Sequence, residues 1–285
     1  MELLFLGTAA AEGAPALFCT CEHCAYARRV KGKEIRTRAG SLVDGVLKID
    51  FGPDSYKQML DNDIDYTHMT SVIVTHSHDD HLAASEFQFR RQGFAQLPKD
   101  EPVLTVYGND AVVSKVTPYL SDMVKAQAVH SFVPFEAEGY TITPLEALHC
   151  VSDSATGYPV YFKGKKYFRT EETNGYLIEK DGRSLYYAHD TGGITDANLE
   201  FLKGRKLDLI SLDCDDCSWD TQWIGHMGIT RDLEAREQLL SVGAADSHTV
   251  FVANHFSHNG LIPYEKIQER MPGFLVSYDG MKVRV

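Results

Sequence analysis

The sequence contains no hydrophobic run that approaches the ~18 residues of a membrane-spanning helix. Basic side chains are also scarce, with 28 lysines and arginines against 40 aspartates and glutamates and a formal net charge of −12. A chain this acidic is a poor candidate for binding nucleic acid or an anionic membrane through its overall charge. The first residues, Met1 to Leu6, lack the basic start and long apolar core of a signal peptide. We therefore expect a cytoplasmic protein with no membrane partner, and the charge argues against a nucleic-acid partner.

Cysteine is infrequent as well, with six residues among 285. This number is too small for a disulfide scaffold, yet three of the six lie in the segment Cys19-Thr-Cys21-Glu-His-Cys24. Such spacing in a cytosolic chain indicates a metal site, and a disulfide between Cys19 and Cys21 would be strained. A closed zinc site needs a fourth ligand, which we assign to His258, three residues after His255. Three free cysteines in a loop are the alternative.

Short β-rich runs alternate with helical periodicities along the whole chain, with no evident linker or repeat. The periodicity predicts helices over 82–93, 109–126, 195–203, 229–242 and 263–270. Asp-Gly pairs between apolar runs predict hairpin turns at Asp44, Asp181 and Asp279. This mixture predicts two mixed sheets with helices outside them, in a single domain over 1–285.

The histidines are unevenly distributed, and three of the twelve fall within His76-Ser-His-Asp-Asp-His81. This segment directly follows the β-branched run Ser71 to Thr75, which is typical of a buried strand. Imidazole and carboxylate groups are the usual protein ligands of zinc, manganese and iron. A solvated polar turn is the alternative, but so dense a group of ligand types after an apolar strand predicts a metal site.

His76-Ser-His-Asp-Asp-His81 resembles the HxHxDH signature of the metallo-β-lactamase fold superfamily. Further residues follow in the order of that superfamily's motifs: Asp50 after Leu47-Lys-Ile, His149 after Ile142 to Leu148, Asp190 in Tyr-Ala-His-Asp-Thr-Gly, and His255 in Val252-Ala-Asn-His-Phe-Ser-His. The resemblance covers nearly the whole chain. It implies an α/β (α+β) fold, a four-layer αββα sandwich in which helices flank two sheets.

The resemblance also implies two divalent metals, zinc or manganese, with a bridging hydroxide that attacks the substrate. Their implied ligands are His76, His78 and His149 for one metal, Asp80, His81 and His255 for the other, and Asp190 as a bridge. Asp50 would support the ligands from behind. His189 precedes Asp190, and because adjacent strand residues point to opposite faces, we interpret His189 as structural.

One branch of the superfamily combines HxHxDH with C-x-C-x2-C near the N-terminus and H-x2-H near the C-terminus, as this chain does. That branch contains the phosphoribosyl cyclic phosphate phosphodiesterase of the carbon–phosphorus lyase pathway. The resemblance implies a structural zinc, a small anionic phosphodiester substrate and a homodimer. It also implies that His226, together with Asp80 and Asp190, serves catalysis, with His226 protonating the leaving oxygen.

The segment 157–173 lies between the His149 and Asp190 motifs and is rich in aromatic and basic residues. It carries five aromatic residues together with Lys163, Lys165, Lys166 and Arg169. In an acidic protein this composition suits a lid over an anionic, ring-bearing substrate. A simple exposed hairpin explains the composition equally well, and both interpretations stand at this point.

Other functions use similar ligands. An RNA-processing nuclease resembling ribonuclease Z is one, although the chain has no evident basic arm for RNA. A lactonase or glyoxalase-type thioesterase would direct the same hydroxide at a carbonyl carbon. Outside enzymes, a zinc-dependent interaction module or a cofactor carrier related to the pyrroloquinoline quinone pathway is the alternative. The full ligand set favours a metal-dependent hydrolase, and phosphodiester cleavage is our leading hypothesis.

Overall fold

The first of two large sheets is built from both ends of the chain. The computed structural model describes residues 1–100, 102–152, 156–221 and 223–285, and the following counts refer to these ranges. From one edge to the other, this seven-stranded sheet contains β17 (Met281–Arg284), β1 (Glu2–Gly7), β2 (Gly40–Val43), β3 (Leu47–Ile49), β4 (Ser71–Ile73), β5 (Leu104–Gly108) and β6 (Val124–Ala128). The last four of these strands, β3 to β6, run parallel to one another.

The second large sheet comes from the later part of the chain and has seven described strands. In order they are β16 (Phe274–Val276), β15 (Val250–Asn254), β14 (Leu209–Asp213), β13 (Arg183–Ala188), β12 (Asn174–Lys180), β8 (Tyr140–Glu146) and β7 (Phe135–Ala137). Strands β13 to β16 are parallel. A small antiparallel sheet consists of β10 (Tyr158–Phe162), β11 (Lys165–Arg169) and β9 (Val151–Ser152), and we call it the arm.

The helices lie along the chain between these strands. The α-helices are α1 (Glu22–Val30), α2 (Ser55–Asp61), α3 (Asp110–Val116), α4 (Asp196–Leu202), α5 (Ile229–Ser241) and α6 (Tyr264–Arg270). Short 3-10 helices span Gly32–Glu34, Ala84–Phe89 and Thr117–Tyr119. Within the described ranges, no helix has the length and apolar character needed to cross a bilayer.

Three hydrophobic clusters define the layers. The two large sheets pack face to face through residues such as Phe5 and Ile73 of the first and Tyr176 and Leu185 of the second. A second cluster joins the outer face of the second sheet to α4, α5 and α6. A third joins the outer face of the first sheet to α3 and the 3-10 helix Ala84–Phe89. This order of helix, sheet, sheet and helix confirms the predicted αββα sandwich.

Strand direction places the candidate site. The carboxyl ends of parallel strands meet at one edge of a sheet, and loops at that edge bind ligands in many α/β proteins. Asp50 and the His76–His81 segment follow β3 and β4 of the first sheet. Asp190 and His255 follow β13 and β15 of the second sheet. The two sheets therefore bring residues more than 200 positions apart to the same end of the sandwich.

The hairpins predicted at Asp44 and Asp181 are confirmed, since they join the antiparallel pairs β2–β3 and β12–β13. Both aspartates have positive φ, 46° and 51°; Asp181 begins a two-residue turn between Lys180 and Arg183, and Asp44 begins a three-residue turn between Val43 and Leu47. The hairpin predicted at Asp279 is wrong. The turn there connects β16 to β17, which belong to different sheets, so the chain crosses the sandwich instead of reversing within a sheet.

The helix predicted over 109–126 is also too long. α3 ends at Val116, and Pro118 follows in a 3-10 turn because proline cannot donate a backbone hydrogen bond. Val124–Ala128 then pairs in parallel with β5 as an edge strand. Over 82–93, only Ala84–Phe89 is helical, and it is a 3-10 helix. The helices predicted over 195–203, 229–242 and 263–270 are confirmed as α4, α5 and α6.

Candidate active site

Three candidate site residues, each just after the end of a strand, have an unusual backbone conformation. Asp50, Asp190 and His255 have φ values of 57°, 50° and 63°, in the left-handed region that side chains other than glycine rarely adopt. Such strain is found mainly at functional sites, where the surrounding fold maintains it. In this protein it turns a side chain at the end of a strand inward, towards the gap between the two sheets.

The predicted metal ligands gather into two neighbouring clusters. The ligand atoms of His76, His78 and His149 lie within 4.8 Å of one another. Those of Asp80, His81 and His255 do the same. These are the two groups that the superfamily resemblance assigns to two separate cations.

Asp190 lies between the two clusters. Its Oδ2 is 3.0 Å from Nε2 of His81 and 3.0 Å from Nε2 of His255. Its Oδ1 is 3.6 Å from Nε2 of His149, in the other cluster. The structure therefore gives Asp190 the position of a bridging carboxylate.

The donor set fits divalent cations. Nε2 atoms of His76, His81 and His255 are buried, and within the described residues they make no hydrogen bond of acceptable geometry; the same is true of Asp190 Oδ2. Buried polar atoms are normally satisfied, so four unsatisfied atoms in neighbouring groups that share Asp190 indicate missing partners. Burial also lowers the pKa of His149 to about 4, which keeps its imidazole neutral as metal binding requires.

Hydrogen bonds hold the far side of two of the imidazoles, those of His81 and His149. Nδ1 of His81 donates to Oδ2 of Asp50 at 2.8 Å, as the second-layer role predicted for Asp50 requires. The other oxygen of Asp50 accepts from the backbone N–H and the hydroxyl of Thr75. Nδ1 of His149 donates to the carbonyl of Gly225 at 3.2 Å. Such contacts fix which ring nitrogen faces the cation.

His226 lies beside the clusters with its ring oriented by Asp213. Its Nδ1 is 3.0 Å from Oδ2 of Asp213, and its ring centroid is 4.8 Å from that of His149. Burial alone would lower the pKa of His226, but the charge and hydrogen bond of Asp213 outweigh it and raise the pKa to about 10. Nε2 is the nitrogen left to act on a substrate, and the imidazole can carry a proton.

Sequence reasoning missed Asp213. This residue ends β14 at the same edge as the other site residues, with 0 % exposed side chain, and it also accepts from the backbone N–H of Met227. The sequence signal was present, because a carboxylate after the buried run Leu209–Leu212 has the same context as Asp50. Asp213, His226, Asp190 and His255 also place ligand atoms within 4.8 Å of one another, so His226 has access to a cation.

His189 stays outside the described clusters, as the strand alternation predicted. It is fully buried, and its Nε2 lies 2.8 Å from the hydroxyl of Ser211. Its role is to connect β13 with β14.

The cysteine cluster forms as the spacing predicted. The sulfur atoms of Cys19, Cys21 and Cys24 and a ring nitrogen of His258 lie within 4.8 Å of one another, and the cysteines are not in disulfides. Sγ of Cys21 is 3.7 Å from Nδ1 of His258. Three thiolates and an imidazole suit tetrahedral zinc. The cluster joins the start of α1 to the loop that carries His255.

The segment predicted as a lid or a hairpin forms the hairpin of the arm and is docked at its tip. The carboxylate of Asp196, at the start of α4, accepts hydrogen bonds from the backbone N–H groups of Lys163 and Gly164 at 2.9 and 2.8 Å. The ring of Phe162 packs against Gly193, where a side chain would collide with it. Gly193 lies three residues after Asp190, so the arm borders the candidate site. A covering role over substrate stays a prediction.

The model of the beta-lactamase superfamily domain matches residues 47–279, which contain both histidine clusters. The chain belongs to the beta-lactamase superfamily. The three cysteines of the cysteine cluster precede the matched region, while His258 of the same cluster lies within it.

The chain is similar to known proteins whose names describe different functions. Coenzyme PQQ synthesis protein B from Methylobacterium radiotolerans is 28% identical over 218 residues, 69% of this chain and 67% of that protein. Zinc-bound PqqB from Methylobacterium extorquens has a similar structure, with a TM-score of 0.74, 20% identity and full coverage of both chains. A diphosphatase of the PhnP family has a TM-score of 0.72 and 22% identity, covering 100% of this chain and 97% of that one. At such identities the structural likeness shows the fold.

Proposed function

We propose that this superfamily member is a metal-dependent phosphodiesterase that opens a small cyclic phosphate or a nucleotide-like phosphodiester. The observation that supports the proposal is the imidazole of His226, held by Asp213 beside two clusters of side chains that could hold metal ions. Cleavage of a P–O bond to a sugar needs both a charged centre for the phosphoryl oxygens and a proton for the departing oxygen. This arrangement supplies groups for both.

Two divalent cations, when bound, would lower the pKa of a water molecule and neutralise charge on the phosphoryl group. The side chains that would hold them are His76, His78 and His149 on one side, Asp80, His81 and His255 on the other, and Asp190 between. Zinc and manganese both suit this set of nitrogen and oxygen donors. The role of Asp50 is to keep Nε2 of His81 directed at the centre.

His226 would act on the leaving group. A water molecule attacks phosphorus and releases one proton to solvent, the P–O bond to the departing alkoxide breaks, and the proton on Nε2 of His226 passes to that oxygen. Asp213 accepts a hydrogen bond from Nδ1, so it fixes the ring and stabilises the imidazolium. A cyclic substrate gives a single phosphomonoester that carries the freed hydroxyl, a linear diester gives a phosphomonoester and an alcohol, and the imidazole regains its proton from solvent.

The composition of the arm is consistent with the anionic substrate that we propose. Lys163, Lys165 and Lys166 place positive charge on the arm, whose tip lies next to the loop that follows Asp190, and Lys163 pairs with Glu234 at 3.1 Å. Local positive charge attracts anions even where the net charge repels them.

A substrate panel tests the proposal. Purified protein, supplied with manganese or zinc, would be assayed against a ribosyl cyclic phosphate, a dinucleoside diphosphate, a phosphomonoester, a lactone and a thioester. We expect turnover of the cyclic phosphodiester that is lost in Asp80→Ala. Faster turnover of the dinucleoside diphosphate would show that the preferred substrate is a phosphoanhydride. Turnover of the lactone or thioester alone would overturn the proposal.

A role in cofactor synthesis is the second candidate, because the chain is 28% identical to a coenzyme PQQ synthesis protein. In that case the protein would bind a quinone cofactor or its precursor and hydrolyse none of the esters. Equilibrium dialysis with pyrroloquinoline quinone separates the two, since a phosphodiesterase of this kind has no reason to retain it.

A further inference from the structure

Ser77 lies between two predicted ligands, His76 and His78, and other side chains hold each of its polar atoms. Its backbone N–H donates to Oε1 of Glu171 at 2.7 Å, and its hydroxyl donates to Oε2 of Glu171 at 2.6 Å. Its carbonyl accepts from Nζ of Lys115 at 2.5 Å. The backbone between the two histidines is therefore fixed from outside the metal cluster.

Glu171 joins three parts of the molecule at this point. It follows the last strand of the arm by two residues, and it is only 9 % exposed. Its Oε1 also accepts from Nδ2 of Asn109 at 2.8 Å, and Oδ1 of Asn109 caps the start of α3. One carboxylate thus connects the arm, the first turn of α3 and the loop that carries the ligands.

His78 has most need of such support. It is the exposed member of its cluster, so packing does little to fix its ring. Its ring nitrogens lie 3.4 Å from Nε2 of His149 and 3.5 Å from the thiol of Cys150, and its ring packs edge-on against that of His76, with centroids 4.5 Å apart. The hydrogen bonds at Ser77 therefore constrain the backbone before His78, while the carbonyl of His78 accepts from the N–H groups of His81 and Leu82 on the other side. Hydrogen bonds to a buried carboxylate are strong enough to fix that backbone.

We propose that Glu171 is a positioning residue for the metal centre, which clamps Ser77 so that His76 and His78 face one cation. This inference rests on the metal centre of the proposed function. Coupling between two sites is reciprocal, so a cation held by these histidines must in turn strengthen the docking of the arm.

The chain offers a matched control in Glu172. Its carboxylate accepts from the backbone N–H of Ser131 at 2.9 Å and lies 3.1 Å from Nδ1 of His130. Glu171→Ala and Glu172→Ala each remove one partly buried carboxylate from the same segment. Only the first removes contacts with the ligand loop.

Manganese binding provides the first measurement. Protein that retains zinc at its cysteine cluster would be titrated with Mn²⁺ alone, and free Mn²⁺ would be followed by electron paramagnetic resonance. Loss of contacts behind a metal ligand typically weakens binding about 10–100-fold, which is our expectation for Glu171→Ala. Glu172→Ala should change the affinity less than about twofold. Glu171→Gln keeps one acceptor and should recover part of the loss.

Limited trypsin digestion provides the second measurement, since Lys163, Lys165 and Lys166 are cleavage sites in the arm. Saturating Mn²⁺ should slow cleavage there in the wild type and in Glu172→Ala. It should have little effect in Glu171→Ala. If that variant does not fold, Ser77→Ala, which removes one hydrogen bond, should weaken manganese binding about fivefold.

Equal manganese affinity in Glu171→Ala and Glu172→Ala would overturn the inference while the metal centre stands. A wild-type protein that binds no manganese or zinc at the histidine clusters would remove the proposed function, and this inference with it. Normal metal binding without phosphodiester turnover would overturn the phosphodiesterase alone.

Discussion

His226 and Asp213 show how one carboxylate determines what an imidazole can do. Asp213 is fully buried and directs Nδ1 of His226 towards itself, so the second ring nitrogen faces the site. Without that partner the ring could turn, and the adjacent rings of His149 and His255 would not by themselves set its tautomer. The acid proposed here is therefore a pair of residues.

The first prediction concerns this pair. His226→Ala should slow hydrolysis of a cyclic or alkyl phosphodiester by about 10²–10⁴-fold, because a sugar alkoxide needs a proton to depart. Bis-nitrophenyl phosphate should be affected much less, since nitrophenolate is already a stable leaving group. Steady-state kinetics on both substrates measure the difference.

Metal analysis of the same variant is the control. We expect unchanged metal content, because His226 is not among the predicted ligands. Loss of one cation would instead make His226 a ligand, which its distance to the cluster of Asp190, Asp213 and His255 permits. Equal losses on both substrates would indicate phosphate binding in place of proton donation.

The second prediction compares two adjacent carboxylates. Asp80→Ala should abolish turnover and remove one cation, because Asp80 lies 3.1 Å from Nε2 of His81 in the second cluster. Asp79→Ala should leave activity within about twofold, since the Asp79 side chain is 98 % exposed and its ion pair with Lys115 is at the surface. Turnover and metal content are measured together. Normal activity with full metal in Asp80→Ala would show that the second ligand set is wrong.

At the scale of elements, the cysteine cluster connects two loops that lie far apart in sequence. The N-terminus of α1 follows Cys21, and His258 lies three residues after His255. A closed zinc site holds such loops together and contributes directly to folding. The predicted zinc therefore stabilises the loop that carries a catalytic ligand without contacting substrate.

The third prediction tests this link. Cys21→Ser should release zinc and lower the melting temperature by roughly 5–10 °C, which corresponds to a loss of several kcal/mol in a domain of this size. Turnover per folded molecule should fall less than stability. Differential scanning calorimetry and zinc analysis provide the measurements.

Cys217→Ser is the matched control for zinc content. Cys217 is buried in the hydrophobic cluster against α5 and is not in the cysteine–histidine group. The Cys217→Ser variant should be less stable, because it buries a hydroxyl among apolar side chains, but it should retain its zinc. If both variants kept zinc after mild chelation, Cys21 would not be a ligand.

At the scale of the whole molecule, the ligand counts predict about three metal ions per chain, two at the histidine clusters and one zinc at the cysteines. Elemental analysis after gentle purification should show this. Mild chelation should remove the pair and leave the zinc, because a closed site with three thiolates holds zinc more tightly than an open site of imidazole and carboxylate ligands does. Zinc lost as readily as the pair would contradict the structural site.

A homodimer is our proposal for the oligomeric state, on the basis of the resemblance to the phosphodiesterase branch. The measurement is the molar mass from light scattering, which should be twice the chain mass of 31.9 kDa. A mass of one chain across the concentration range would show that the site functions within a monomer.

The sequence by itself determined what depends on near neighbours. His76, His78, Asp80 and His81 lie in one short segment, and the three cysteines lie in another. Their spacing alone therefore predicts two places where metal ions bind. The turns at Asp44 and Asp181 follow from the conformation that Asp-Gly adopts between two strands. The layer order and the superfamily follow from motifs that recur in a fixed order along the chain.

Only the tertiary structure decided what depends on distant partners. The turn at Asp279 has the same local sequence as a hairpin, but the pairing of β17 with β1 draws its two strands into different sheets. The helical periodicity of 109–126 extends into Val124–Ala128, yet that segment forms an edge strand because β5 offers it hydrogen bonds. Asp213 and Glu171 acquire their roles through contacts with His226 and Ser77, which lie 13 and 94 positions away. Local periodicity carries no information about such contacts, because the two residues of each contact come together only when the sheets fold.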